Sequence, residues 1–226
     1  MQTGKGHVVE LILQDGLRSA RLSCPATLIP APGQYLLAGD DSTSLLPVPI
    51  FYAESAPQGF VAAAPVPDSW NPGTALYLRG PLGRGFTLPI SARRVMIMAD
   101  DDSPVRLRGL IRLALNQDAA LVLVSDFAPD DLPDQVEVQP ISALDDILEW
   151  ADYVAFDVAR QNLNQMRKRL GRMDQLVVGR EAQILIRTPV PCGGVAECGV
   201  CAVALRSSWR LACKDGPVFD WRDISG

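Results

Sequence analysis

The chain has 226 residues, 48% of them apolar and 21% charged, with a formal net charge of −5. That length allows two modest domains plus an appendage, and the composition is ordinary for a globular protein with a real core. A negative balance without a basic stripe or interleaved aromatics excludes a nucleic-acid surface. With His7 the single histidine, a Cys/His or Ser/His catalytic pair is nearly excluded. Residues 1–7 run straight into the strand-like Val8–Leu13, without the apolar core or cleavage site of a signal peptide. No apolar run approaches the ~20 residues needed to span a bilayer. The expectation is a cytoplasmic protein with no membrane span.

Residues 1–90 read as short strands broken by turn chemistry. Arg18–Ser23 alternates, Pro32-Gly33-Gln34-Tyr35 turns into Leu36-Leu37, and Gly59–Ala64 is a further apolar run. Thr74–Arg79 follows the turn Asn71-Pro72-Gly73. Strands at this spacing predict a small antiparallel β-barrel. Cys24, before Pro25, has no other sulfur near it in sequence and reads as a lone buried thiol.

Residues 91–182 change character. Arg94–Ala99 is a short continuous apolar run of the kind that forms a buried parallel strand. Pro104 opens a helix whose stripe is Val105, Leu107, Leu110, Ile111, Leu113, Ala114 and Leu115. Ala120–Val124, Val136–Val138 and Tyr153–Phe156 read as strands, with helices at Ala143–Trp150 and Arg160–Leu170. This alternation predicts a doubly wound, Rossmann-like α/β domain. The carboxylate runs Asp100–Asp102 and Asp130-Asp131 read as solvated loop faces.

Residues 183–226 hold four of the five cysteines, Cys192, Cys198, Cys201 and Cys213, spaced C-x5-C-x2-C-x11-C. Thiolates bunched in this way bind zinc or an iron–sulfur cluster. Zinc ribbons usually show two separated C-x2-C knuckles, whereas here three cysteines share one glycine-rich loop and the fourth arrives singly. That is the plan of a plant-type [2Fe–2S] loop with one extra residue in the first gap. Gly193, Gly194 and Gly199 suit a loop that must offer N–H groups to sulfur. Zinc and a set of buried or disulfide-bonded cysteines remain the alternatives. Trp209 reads as a lid over the site or a core aromatic, and Phe219 and Trp221 as residues that pack either on a partner or in the chain's own core.

The run Cys192–Cys201 followed by Cys213-Lys-Asp-Gly-Pro-Val-Phe219 resembles the C-terminal cluster domain of the electron-transfer subunits of dihydroorotate dehydrogenase B. Pro32-Gly33-Gln34-Tyr35 is similar to a turn of flavodoxin-reductase-type barrels, and Gly80-Pro81-Leu82-Gly83-Arg84-Gly85-Phe86 to the segment that closes the barrel in the same subunit family. The resemblance therefore covers nearly the whole chain. It implies an α+β multidomain protein: a reductase-like β-barrel over 1–90, a nucleotide-binding-like α/β domain over 91–182 and a [2Fe–2S] domain over 183–226. It also implies an FAD and NAD site, a place in pyrimidine biosynthesis and a flavoprotein catalytic subunit as partner in a hetero-oligomer.

The nucleotide landmarks of that family are missing. The Gly-rich turn after the first α/β strand is replaced by Ala99-Asp100-Asp101-Asp102-Ser103-Pro104, so NAD binding is not expected. Phe156-Asp157-Val158 stands where the family has Cys-Gly-Pro. The flavin-binding strand falls at Leu46–Ser55, which lacks the pyrophosphate-pairing Arg and carries Glu54. Phe51, Tyr52 and Ser55 are its remaining candidate flavin contacts. The expectation is a subunit that relays electrons through a cluster held by Cys192, Cys198, Cys201 and Cys213, with Val195, Val200, Trp209 and Phe219 at the partner interface. The alternatives are a scaffolding or regulatory paralogue with a structural cluster or zinc, and a full FAD/NAD-dependent reductase subunit.

Overall fold

A computed structural model describes residues 2–14, 16–40, 46–101, 103–127, 129, 131–171 and 180–224. The three-part architecture expected from the sequence is present. Six antiparallel strands close into a barrel in the order β1-β2-β5-β4-β3-β6. These are β1 (Gln2–Gln14), β2 (Leu17–Ser23), β3 (Tyr35–Gly39), β4 (Val48–Ala56), β5 (Gly59–Ala62) and β6 (Ala75–Leu82). Alternation along β6 turns Leu76 and Leu78 inward, where they meet Val8, Leu22, Leu36, Ile50, Phe60 and Trp70. Each such side chain contributes about 1.5–3 kcal/mol on burial. Gly59 is required by close packing: a Cβ there would lie 1.9 Å from the Leu22 carbonyl oxygen. Cys24 is half-buried beside this core.

The second domain is a six-stranded sheet in the order β14-β11-β10-β7-β8-β9. Its parallel strands are β7 (Arg94–Ala99), β8 (Ala120–Val124), β9 (Val136–Gln139), β10 (Tyr153–Ala159) and β11 (Glu181–Arg187). The apolar runs are continuous because both faces are covered. Val95, Ile97, Leu121 and Leu123 pack on α1 (Arg108–Asn116). Met96, Met98, Val122 and Phe156 pack on α2 (Leu144–Trp150) and α3 (Leu163–Leu170). The order of the strands reverses between β7 and β10, so the crevice at their carboxyl ends is the topological switch point.

β11 had no counterpart in the sequence reading. It adds a strand to the sheet, and the chain returns to pair antiparallel with it in β14 (Val218–Asp220). Residues 188–217 form a lobe between these two strands, with the small ladder β12 (Ala202–Ala204) and β13 (Trp209–Leu211) and the one-turn helix α4 (Ala212–Asp215). The tail ends in α5 (Trp221–Ile224). Phe219, expected at the partner interface, and Trp221, read as facing either a partner or the core, are both buried in this chain's own core. Trp221 lies against Phe156 with ring centroids 5.4 Å apart. Their apolar area is satisfied by the sheet face that β14 completes. No helix among the described residues is long and apolar enough to cross a membrane.

Candidate metal centre

The lobe brings all four predicted ligands together. Cys192 lies beside Cys198 and Cys213 beside Cys201, near enough for each thiol to act on its neighbour's ionisation, so the thiols fall into two neighbouring pairs. The nearby backbone N–H groups of Cys198, Glu197 and Gly194 favour the Cys192 thiolate, and that of Ala196 favours the Cys213 thiolate. Burial works against the Cys192 thiolate, but the Cys198 thiol and these N–H donors outweigh it and bring Cys192 down to about 6. Burial, the Cys201 thiol and the charges of Cys201 and Cys192 push Cys213 up to about 12. Cys201 and Cys213 are buried at 1% and 4% exposure, Cys192 is half-buried, and Cys198 faces solvent. The loop reaches this shape through left-handed backbone at Gly193, Gly194, Ala196 and Gly199. An alanine in that region is uncommon and strained, as at many binding loops.

Neighbouring elements hold the loop in place. Arg160, just before α3, donates to the carbonyls of Val200 and Ala202, and Arg167 on α3 donates to Ala204 and Ile224. The three sequence anchors of the resemblance converge here. A Cβ at Gly33 would meet Val218 at 2.7 Å and Phe86 at 2.8 Å, and one at Gly83 would meet Pro217 at 2.4 Å. The barrel turn, the barrel-closing segment and the cysteine-bearing tail are one packed junction. Beneath the loop, the buried Tyr35 hydroxyl has no hydrogen-bond partner among the described residues. Two thiol pairs, N–H groups that favour the thiolates and an orphaned donor fit an iron–sulfur cluster.

The crevice at the switch point is filled by the protein itself. Asp100 turns inward into ion pairs, while Asp101 stays exposed as expected but is paired as well. Arg106 donates to Asp157 at 2.6 Å and to the Ala64 carbonyl of the barrel at 2.7 Å, and pairs with Asp101. Arg187, on β11, donates to Asp157 at 2.8 Å, lies 3.1 Å from Asp101 and pairs with Asp100. Asp100 also accepts from the Ala159 N–H and the Asn162 side chain, both at 2.9 Å. Asp157 is 0% and Arg106 3% exposed. Burial opposes the Arg106 charge, yet Asp157 and Asp101 beside it prevail and hold it protonated. Asp131 likewise turns to Arg108. Asp102 and Asp130 lie outside the described residues. The sequence reading missed Arg106 and Arg187, which are far apart in sequence and meet only through the sheet.

The candidate flavin contacts are not gathered round one cavity. Adjacent residues of a strand face opposite ways, and Phe51 and Tyr52 do so. Tyr52 stacks on Phe60 in the barrel and shares a hydrogen bond of 2.8 Å with Ser55. Phe51 packs on Tyr35 and lines a cavity of about 10 Å³ with Pro49, Ile186 and Cys213. Cofactor pockets usually run to roughly 300 Å³ or more. Phe51, Tyr52 and Ser55 thus do not line a common cavity among those the described residues form.

These features define a ferredoxin-reductase-like fold with an iron–sulfur cluster binding domain near its end. Residues 192–225 match the family model for the iron–sulfur cluster binding domain of dihydroorotate dehydrogenase B. A stretch of 31 residues is 52% identical to the sulfhydrogenase 1 gamma subunit of Pyrococcus furiosus, covering 14% of this chain and 11% of that protein. Among solved structures, a chain of an NADH-dependent reduced ferredoxin-NADP oxidoreductase superposes with a TM-score of 0.75 at 13% identity, over 97% of this chain and 89% of that one. The ferredoxin reductase of carbazole 1,9a-dioxygenase gives 0.56 at 19% identity, over 76% and 64%. The Plasmodium falciparum ferredoxin-NADP+ reductase gives 0.55 at 8% identity, over 81% and 95%. At these identities the likeness concerns the fold.

Proposed function

We propose that this chain is an electron-relay subunit that carries a [2Fe–2S] cluster on Cys192, Cys198, Cys201 and Cys213 and passes electrons to or from a flavoprotein. The pairing of the thiols carries this reading. Two pairs suit two irons, each completed by bridging sulfide. A bound cluster supplies one-electron chemistry, and two-electron steps fall to a flavin. The protein's own part is to bind, shield and orient: Val190, Val203 and Ala212 pack round the buried pair and exclude water there.

The open side of the site supports a partner. Val195 and Val200 are about two-fifths exposed and Trp209 is 72% exposed, on the same lobe as solvent-facing Cys198. Apolar and aromatic residues of this kind form the cores of interfaces. A dihydroorotate dehydrogenase-like flavoprotein is the partner that the matched cluster domain suggests. Replacing Trp209 and Val200 by Ser is expected to weaken co-purification with that flavoprotein while leaving the iron content of reconstituted protein unchanged. Retained co-purification moves the interface elsewhere.

The deciding experiment is anaerobic purification followed by visible spectroscopy and metal analysis. The expected protein is coloured, with iron–sulfur bands that bleach with dithionite, and contains about two irons per chain. A colourless protein with one zinc overturns the relay in favour of a structural metal.

A further inference from the structure

We propose that the Tyr35 hydroxyl is a hydrogen-bond donor to the sulfur shell of the cluster site and raises the reduction potential of the cluster held there. The inference rests on the cluster reading above. Tyr35 is the first residue of β3, held between Phe51 of β4 and Leu82 of β6, and is 1% exposed. Its hydroxyl is buried and has no partner among the described residues. Buried donors are almost always paired, and one left unpaired is costly. Water is a poor candidate partner, because the cavity that Tyr35 lines with Cys213 is about 10 Å³, at the lower limit for one molecule.

The cysteine loop lies directly against this oxygen. Gly194 adopts left-handed backbone, and a Cβ there would lie 3.5 Å from the hydroxyl. The cysteines within electrostatic reach of it are Cys213, Cys201 and Cys192, opposed by Arg79. A phenol has one proton to give, and sulfur is the acceptor that the surroundings offer. Reduction adds a negative charge to the cluster, so an O–H dipole directed at its sulfur favours the reduced form over the oxidised one. Hydrogen bonds to sulfur are among the levers that set such potentials. Phenylalanine at this position packs equally well but lacks the donor.

The test uses the full chain, purified anaerobically. Tyr35→Phe is expected to hold as much iron as the wild type. At a fixed potential its ratio of reduced to oxidised cluster falls about tenfold, which is about 59 mV for one electron. A second readout needs no variant to fold. Iron–sulfur stretching bands of the wild type in heavy water should shift, and the part of the shift due to the hydroxyl should be missing in Tyr35→Phe. If Tyr35→Phe loses its iron, the wild-type shift decides alone, a response no larger than backbone N–H donors produce in loop peptides counting against the hydroxyl. Iron-loaded Tyr35→Phe with the wild-type potential and isotope response overturns the role of Tyr35 alone. Wild-type protein without iron overturns the cluster reading and this inference with it.

Discussion

Replacing any one of Cys192, Cys198, Cys201 or Cys213 by Ser removes most of the bound iron, and replacing Cys24 by Ser leaves it unchanged. Iron–sulfur clusters are held by thiolates, and a serine hydroxyl deprotonates far less readily than a thiol. The thiols stand in two pairs, so each replacement leaves one iron with a single protein ligand. Loss is fastest at the exposed pair, where Cys198 faces solvent and water can compete for iron. Cys24 lies beside the barrel core, and burial raises its thiol's pKa. Iron analysis with absorbance in the visible checks each variant. A full iron complement in Cys213→Ser breaks the assignment of the fourth ligand.

Replacing Arg106 by Met has the largest expected effect on folding. Asp157 is fully buried and is paired with both Arg106 and Arg187. Removing one partner of a buried ion pair costs about 3–5 kcal/mol, because the remaining charge keeps its desolvation penalty. In a chain of this size that corresponds to a fall in Tm of about 10 °C. Arg106 also ties the α/β domain to the Ala64 carbonyl of the barrel, so the junction loosens with it. Arg106→Met combined with Asp157→Asn is expected to lose less than the sum of the single changes. Additive losses in thermal melts show that the pair does not act as a unit. The same cluster predicts that NADH binds no more tightly than millimolar, since its pyrophosphate would have to displace Asp100, Asp101 and Asp157 from both arginines. Two unit charges of like sign repel by about 4 kcal/mol at 4 Å in an effective dielectric of 20. Saturable micromolar binding by calorimetry contradicts this.

Much of the molecule was legible in the sequence because the signals were local. Turn residues at Pro32-Gly33 and Asn71-Pro72-Gly73 mark the barrel strands, and apolar runs such as Arg94–Ala99 and Ala120–Val124 mark the parallel sheet. The four thiols proposed as cluster ligands were legible for the same reason: three of them share one loop, and glycines beside them announce unusual backbone. The flavin contacts were a weaker reading, since neighbouring strand residues such as Phe51 and Tyr52 point to opposite faces.

What the sequence by itself determined is therefore the kind of most elements in the barrel and the parallel sheet, and the grouping of four thiols near one loop. Hydrophobic period, turn chemistry and ligand spacing all act within a few residues. Only the tertiary structure decided which side chains meet across elements. It drew Asp100 inward to Arg187 and paired the exposed Asp101 with Arg106, folded Phe219 and Trp221 into the chain's own core, and set the Tyr35 hydroxyl under the cysteine loop. A carboxylate run reads as solvated until an arginine many residues away arrives beside it. That pairing depends on strand order, and strand order is set by packing of the whole sheet rather than by any short stretch of chain.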